Sequence, residues 1–244
     1  MSYEFPATDD RIDGTFTTAL EAPFTLLAWL YRTDHTTLSG KKGMVSIANA
    51  RGTTPYAAMI TADGADMFQY YHRLNGGTDF ITEGSWGAIY DSVWVPVIIT
   101  CAGNDTDRAI FRDGSTETNT GNATSIDLGT AMNYIVIGEA EGSGSHLSDG
   151  YLAEVAMWDK VLSTTEIDQL RTGPGEGPAP NTVAVANCVG YWPLDTDQST
   201  HTNLGSKSGG TLTVQGTATY NEEHPTITAG GTNESILIPT GPLR

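Results

Sequence analysis

From Ser148 to Gly173 the chain reads Ser-Asp-Gly-Tyr-Leu-Ala-Glu-Val-Ala-Met-Trp-Asp-Lys-Val-Leu-Ser-Thr-Thr-Glu-Ile-Asp-Gln-Leu-Arg-Thr-Gly. Asp149-Gly150 is a turn signal, and Tyr151–Trp158 is an apolar strand. Ser163 and Glu166 form an S-x-x-E pair, in which each side chain can satisfy a backbone N–H at a helix start. Gly173 and Pro174 end the helical run, so one short helix is predicted near 163–171. A single small helix in a chain of short strands predicts an all-β, two-sheet antiparallel jelly-roll sandwich.

On either side of this stretch, strand signals recur with turns every 8–12 residues or so. Tyr3–Ile12 reads as a first strand broken by Pro6 and by Asp9-Asp10. Phe24–Tyr31 is apolar on both faces and is expected to lie centrally in a covered sheet. Met44–Ala48 and Tyr56–Thr61 pair around Arg51-Gly52, and Met67–Leu74 follows Asp63-Gly64. Val93–Cys101, Arg108–Arg112 and Tyr134–Ile137 are further strands. Residues 139–148 form a polar, glycine-rich loop.

Residues 174–182 form a Pro/Gly connector after a first unit at 1–173. Strand character resumes over 183–244, at Val183–Leu194, Leu212–Val214 and Ile236–Ile238. This final part is too short to bury a core of its own comfortably and is expected to pack on the same sandwich.

The 244 residues carry a formal charge of −17, with a pI near 4.4. That surface repels phosphate backbones and anionic lipid, which argues against nucleic-acid and membrane partners. It accepts cations, or serves only for solvation. No apolar run reaches the roughly 18 residues of a membrane span. The start, Met-Ser-Tyr-Glu-Phe-Pro, lacks the pattern of a signal peptide, so synthesis in a cytoplasm is expected. Cys101 and Cys188 read as two buried free thiols, with a long-range disulfide as the alternative. N-x-S/T sequons stand at Asn104, Asn122 and Asn233 and matter only on a eukaryotic secretory route.

Phe24-Thr25-Leu26-Leu27-Ala28-Trp29-Leu30 resembles a strand of the laminin-G-like, concanavalin A-type jelly rolls. So do Tyr3-Glu4-Phe5 with Asp9–Ile12, Trp94 and Val97 with Phe111–Gly114, and Ile135–Gly138. Asp149–Val155 with Leu162-Ser163 and Glu166-Ile167 resembles the family's ending. The motifs fall in the family's order over residues 3–172. Further on, Gly190–Leu194, Asn203–Gly205, Leu212–Val214 and His224-Pro225 resemble a tail that follows this domain in bacteriophage proteins. The resemblance implies a lectin-like, non-enzymatic part of a virion surface, as a decoration, tail or fibre component. Its partners would be other virion proteins or copies of itself, with host glycans as ligands. A free carbohydrate-binding module is the alternative.

Glycan cleavage on this fold needs two carboxylates across a cleft. Their usual E-x-D-x-x-E presentation is missing, and no catalytic residue is assigned. Glu154, an acid inside a strand, reads first as a tie between that strand and a neighbouring loop. His35, His72, His146, His201 and His224 show no zinc spacing. No cofactor is required. The resemblance implies calcium as the metal to test, with Asp9, Asp10 and Asp149 as ligand candidates. Turn chemistry explains the same aspartates without a metal. Tyr70, Tyr71, Trp86 and Tyr90 are the candidate sugar platform, because a ring face stacks on a pyranose. A satellite core beneath a loop is the competing reading. Trp29, Trp94, Trp158 and Trp192 fall in strand motifs and are expected in the core.

Overall fold

In the computed structural model, the structure describes residues 2–7, 9–32, 42–53, 56–62, 67–73, 79–85, 92–103, 108–112, 115–118, 132–140, 145–147, 150–171, 178–207 and 209–221. In chain order the strands begin with β1 (Ser2–Glu4), β2 (Arg11–Leu20), β3 (Phe24–Arg32), β4 (Lys42–Ala48), β5 (Tyr56–Ala62), β6 (Met67–Arg73) and β7 (Asp79–Ser85). They continue with β8 (Trp94–Cys101), β9 (Arg108–Arg112), β10 (Ser115–Thr118), β11 (Met132–Ile137), β12 (Glu139–Ala140), β13 (Ser145–His146) and β14 (Gly150–Trp158). Helix α1 (Thr164–Arg171) comes next, then β15 (Cys188–Trp192), β16 (Thr200–His201), β17 (Leu212–Gln215) and β18 (Thr219–Asn221).

Among the described residues two large antiparallel sheets result, and β12 and β13 pair as a separate two-stranded ribbon. The first runs β10-β9-β8-β3-β14-β1-β18, with β15 also paired to β14. The second runs β16-β17-β2-β11-β4-β5-β6-β7. Period-two alternation sends every second side chain between them. Ile12 and Phe16 of β2, Leu26 and Leu30 of β3, Ile47 of β4, Ile135 of β11 and Leu152 of β14 belong to this central core.

The outer face of the first sheet is apolar as well. Leu27, Trp29, Ile98, Ala156 and Trp158 meet Leu162, Ile167 and Leu170 from around and within α1, together with Val183. All nine residues of β3 are therefore buried, the expected signature of a strand covered on both faces. The helix starts as its sequence dictates. Glu166 accepts a hydrogen bond from the Ser163 N–H at 2.7 Å, and the Ser163 hydroxyl accepts one from the Glu166 N–H at 3.4 Å.

The opening segment departs from the sequence reading. Tyr3–Ile12 is not one interrupted strand: β1 lies in the first sheet and β2 in the second. The chain crosses between sheets at Pro6 and the Asp10 turn, where the Asp10 N–H bonds the Ala7 carbonyl at 3.1 Å. Strand β2 then continues to Leu20, well past Ile12.

Residues 188–221 supply β15 and β18 to the first sheet and β16 and β17 to the second. Asn203 holds this return in place. Its side chain accepts from the N–H groups of Tyr191 (3.0 Å) and Gly205 (2.7 Å) and donates to the Val189 carbonyl (3.0 Å). The chain passes so close here that a Cβ on Gly205 would lie 2.7 Å from the Gly190 nitrogen. Trp158 and Trp192, both fully buried, donate their indole N–H to the carbonyls of Val183 (2.8 Å) and Gly210 (2.9 Å). Cys101 and Cys188 are buried and not joined in a disulfide, in the central and the outer core.

Candidate functional site

On the second sheet, the same alternation that buries Ile12, Ile135 and Ile47 turns Arg11, Asp13, Tyr134 and Ser46 to the outer face. Pairing register puts Thr213, Asp13, Val136, Ser46, Ala58 and Tyr71 in one line across β17, β2, β11, β4, β5 and β6. The middle of that line, Val136, Ser46 and Ala58, is small and fully buried, with polar and aromatic groups towards its two ends.

Asp13 organises one end. Its carboxylate accepts from Arg11 Nε at 2.6 Å, from the Tyr134 hydroxyl at 2.6 Å and from Gln215 Nε2 at 3.2 Å. Burial acts to lower the Arg11 pKa; the hydrogen bond and charge of Asp13, helped by Glu139 and Tyr134, outweigh it and hold that pKa up. Glu139 closes the cluster. Its carbonyl accepts from the Ser46 hydroxyl at 3.1 Å, and its carboxylate lies 3.7 Å from the guanidinium of Arg51, whose side chain is half exposed. At the other end Tyr71 stacks on Tyr56, with ring centroids 5.7 Å apart and planes 22° from parallel. Tyr56 is buried and supports the partly exposed Tyr71.

This arrangement suits binding. A supported ring offers a stacking surface, and a fixed set of hydroxyl, guanidinium, amide and carboxylate groups offers hydrogen bonds whose geometry is already set. Asp13 accepts three hydrogen bonds from its own neighbours.

The residues singled out from sequence are distributed differently. Tyr70 is 0% exposed and packs in the central core, edge-on to Phe24. It offers no ring to a ligand, because neighbours on one strand point to opposite faces and only Tyr71 points outward. Trp86 and Tyr90 lie outside the described residues, as do Asp149, the sequons, residues 141–144 and 148 of the 139–148 loop and the segment after 221.

Asp10 is buried and structural. One oxygen accepts from the Ala7 N–H at 2.7 Å, and the other from the N–H and hydroxyl of Thr217. These bonds tie the β1–β2 crossing to the β17–β18 turn, so Asp10 does not fit a calcium ligand. Asp9 is exposed, and its carbonyl receives Arg11 Nη1. Among the described residues no three His, Cys, Asp or Glu side chains gather as a metal site.

Glu154 proves to be the tie that its sequence position suggests. Its N–H bonds the Pro193 carbonyl at 3.1 Å, and its carboxyl accepts from the Tyr191 hydroxyl at 2.7 Å. Burial raises its pKa to about 7; the Tyr191 bond lowers it and nearby Asp195 adds to the rise.

Arg11, Asp13, Tyr134, Glu139, Arg51 and Tyr56 were not foreseen from sequence as a group. One local signal was present, the alternation of Ile12, Gly14 and Phe16 with Arg11, Asp13 and Thr15, which marks an outward polar face.

Two apolar-faced antiparallel sheets, one short helix on the outside and a polar, ring-bearing opposite face define a lectin-type jelly roll. Residues 7–168 match the family model described as the concanavalin A-like lectin/glucanases superfamily, and the chain belongs to that family. Among solved structures it is similar to a heptameric SAP-like pentraxin from Limulus polyphemus. Identity there is 17%, with 69% of this chain and 80% of that chain covered and a TM-score of 0.49. It is also similar to the Ruminococcus gnavus IT-sialidase CBM40 bound to alpha2,3 sialyllactose. That match has 15% identity, 68% and 92% coverage and a TM-score of 0.48. No curated protein sequence matches the chain significantly.

Proposed function

We propose that this protein is a non-enzymatic, carbohydrate-binding jelly roll that works on a virion surface as a decoration, tail or fibre component. The observation that carries the binding reading is Tyr71, stacked on Tyr56 across the sheet from the Asp13-centred cluster. A ring face takes the apolar side of a sugar while acceptors and donors of fixed geometry take its hydroxyls. Membership of a lectin/glucanase family supports the same ligand class. The non-enzymatic reading is supported by the commitment of Asp13 to three internal donors. The virion setting is supported by the phage-like tail motifs at Gly190–Leu194 and Asn203–Gly205.

A glycan array with the wild-type chain, repeated with Tyr71→Ala, tests the binding reading. Retention of defined glycans is expected, with affinity about tenfold weaker in the variant, the scale of one lost stacking contact. Binding unchanged in the variant removes the assignment to this face. Release of reducing ends from a bound glycan overturns the non-enzymatic reading. Immunogold labelling of particles made by the expressing cell tests the setting, and unlabelled particles reject it.

A further inference from the structure

The outer face of the first sheet carries a second ordered row. Register places Trp94 of β8, Tyr31 of β3, Tyr151 of β14, Glu4 of β1 and Thr219 of β18 in one line across five neighbouring strands. Their chain neighbours Val95, Leu30, Leu152 and Tyr3 belong to the central core, and Tyr220 packs on it. Alternation therefore turns the whole line outward. Tyr31 lies 5.6 Å from Trp94 and 5.6 Å from Tyr151 between ring centroids, with planes tilted 54° and 50°.

The helix side of this face is closed over Leu27 and Trp29 by α1, Leu162 and Val183. The row lies one outward position along β3 beyond Trp29: Tyr31 is buried between its neighbours, Trp94, Tyr151 and Glu4 are partly exposed and Thr219 is exposed.

We propose that this row is a second carbohydrate-binding site, taking one extended, uncharged glycan chain that runs across the strands. Neighbouring strands lie about 4.8 Å apart, close to the advance of one pyranose unit in an extended chain. Trp94 and Tyr151 offer ring surface to sugar units, Tyr31 is buried between them and supports both, and the next two units meet a carboxylate and a hydroxyl, the groups that hydrogen-bond sugar hydroxyls. Charge narrows the ligand further. Glu4 in the row and the net charge of −17 repel uronic, sulfated or sialylated chains. Among the described residues the row presents a line with no end wall, which suits internal stretches of a polymer over a terminal sugar. The proposal shares its ligand class with the carbohydrate-binding reading and uses none of that site's residues.

The test titrates the full chain with β-1,4-linked gluco-, manno- and xylo-oligosaccharides, from disaccharide to hexasaccharide. The indole N–H resonance of Trp94 is followed by NMR, with Trp158 and Trp192, buried and hydrogen-bonded, as internal references. The expected result is a saturable Trp94 shift whose affinity rises with length up to the pentasaccharide. Tyr151→Ala should weaken it about tenfold while Tyr71→Ala leaves it unchanged. If glycans bind, only Tyr71→Ala weakens them and Trp94 stays still, this site is overturned and the first one stands. If no glycan binds by any readout, both fall. Should Tyr151→Ala unfold, the wild-type Trp94 titration decides alone, because rings that serve only as cross-strand packing give no saturable shift.

Discussion

Glu154 combines three unusual states at one position: it is 4% exposed, it has φ of +51°, and it sits at the register shift of β14 against β3. A non-glycine residue in the left-handed region is held there by its surroundings. The Pro193 carbonyl and the Tyr191 hydroxyl supply that hold, and Leu194, next to Pro193, is left-handed too, at +58°. Burial raises the folded pKa to about 7 against 4.5 for the free group. Between those values the folded chain keeps the proton more tightly than the unfolded chain. The stabilisation is full below about 4.5 and is lost as pH rises through 7, on the order of 3 kcal/mol at 1.36 kcal/mol per unit. Glu154→Gln keeps an acceptor for Tyr191 and cannot ionise. Melting of the two proteins should coincide near pH 4.5, and the variant should be the more stable at pH 8. An equal difference at both pH values would contradict this linkage.

Among elements, α1 shows a local code that survives into tertiary structure. Ser163 and Glu166 exchange hydrogen bonds, and Lys160 adds a salt bridge to Glu166 at 2.9 Å. Burial pushes the Glu166 pKa up; the Ser163 N–H and Lys160 more than offset it and hold the carboxyl below its usual range. Ile167 and Leu170 then seal the outer core. Ser163→Ala removes the cap and is expected to lower unfolding free energy by about 1 kcal/mol in denaturant titrations. A change near zero would mean that packing of Ile167 and Leu170 alone fixes the helix. Strand β2 is the opposite case. Its alternation is visible in sequence, but Asp9-Asp10 hid its start and threonines weakened its apolar signal.

For the chain taken together, the family match ends at residue 168 while the sandwich continues to 221. Without residues beyond 173, β1 loses β18, β2 loses β17, and β14 loses β15. Trp158 loses the Val183 carbonyl, Asp10 loses Thr217, and Glu154 loses Tyr191. Bare strand edges then invite association. A chain cut after residue 173 is expected to show no cooperative melt by circular dichroism and to aggregate. A sharp melt near that of the full chain would show that the first unit stands alone.

Local sequence was enough for the all-β class, the single capped helix, the covered central strand at Phe24–Tyr31 and the core tryptophans Trp29, Trp158 and Trp192. Each of these rests on turn residues, caps and the period of apolar residues, all readable within a few positions. Which side chains share a face was settled by folding alone. Tyr70 and Tyr71 are adjacent in sequence and lie on opposite sides of a sheet. Asp13, Tyr134 and Gln215 are far apart in sequence and meet at one carboxylate. The rows proposed for binding run across strands, perpendicular to the chain, so their order is set by pairing register between distant segments, which no local pattern encodes.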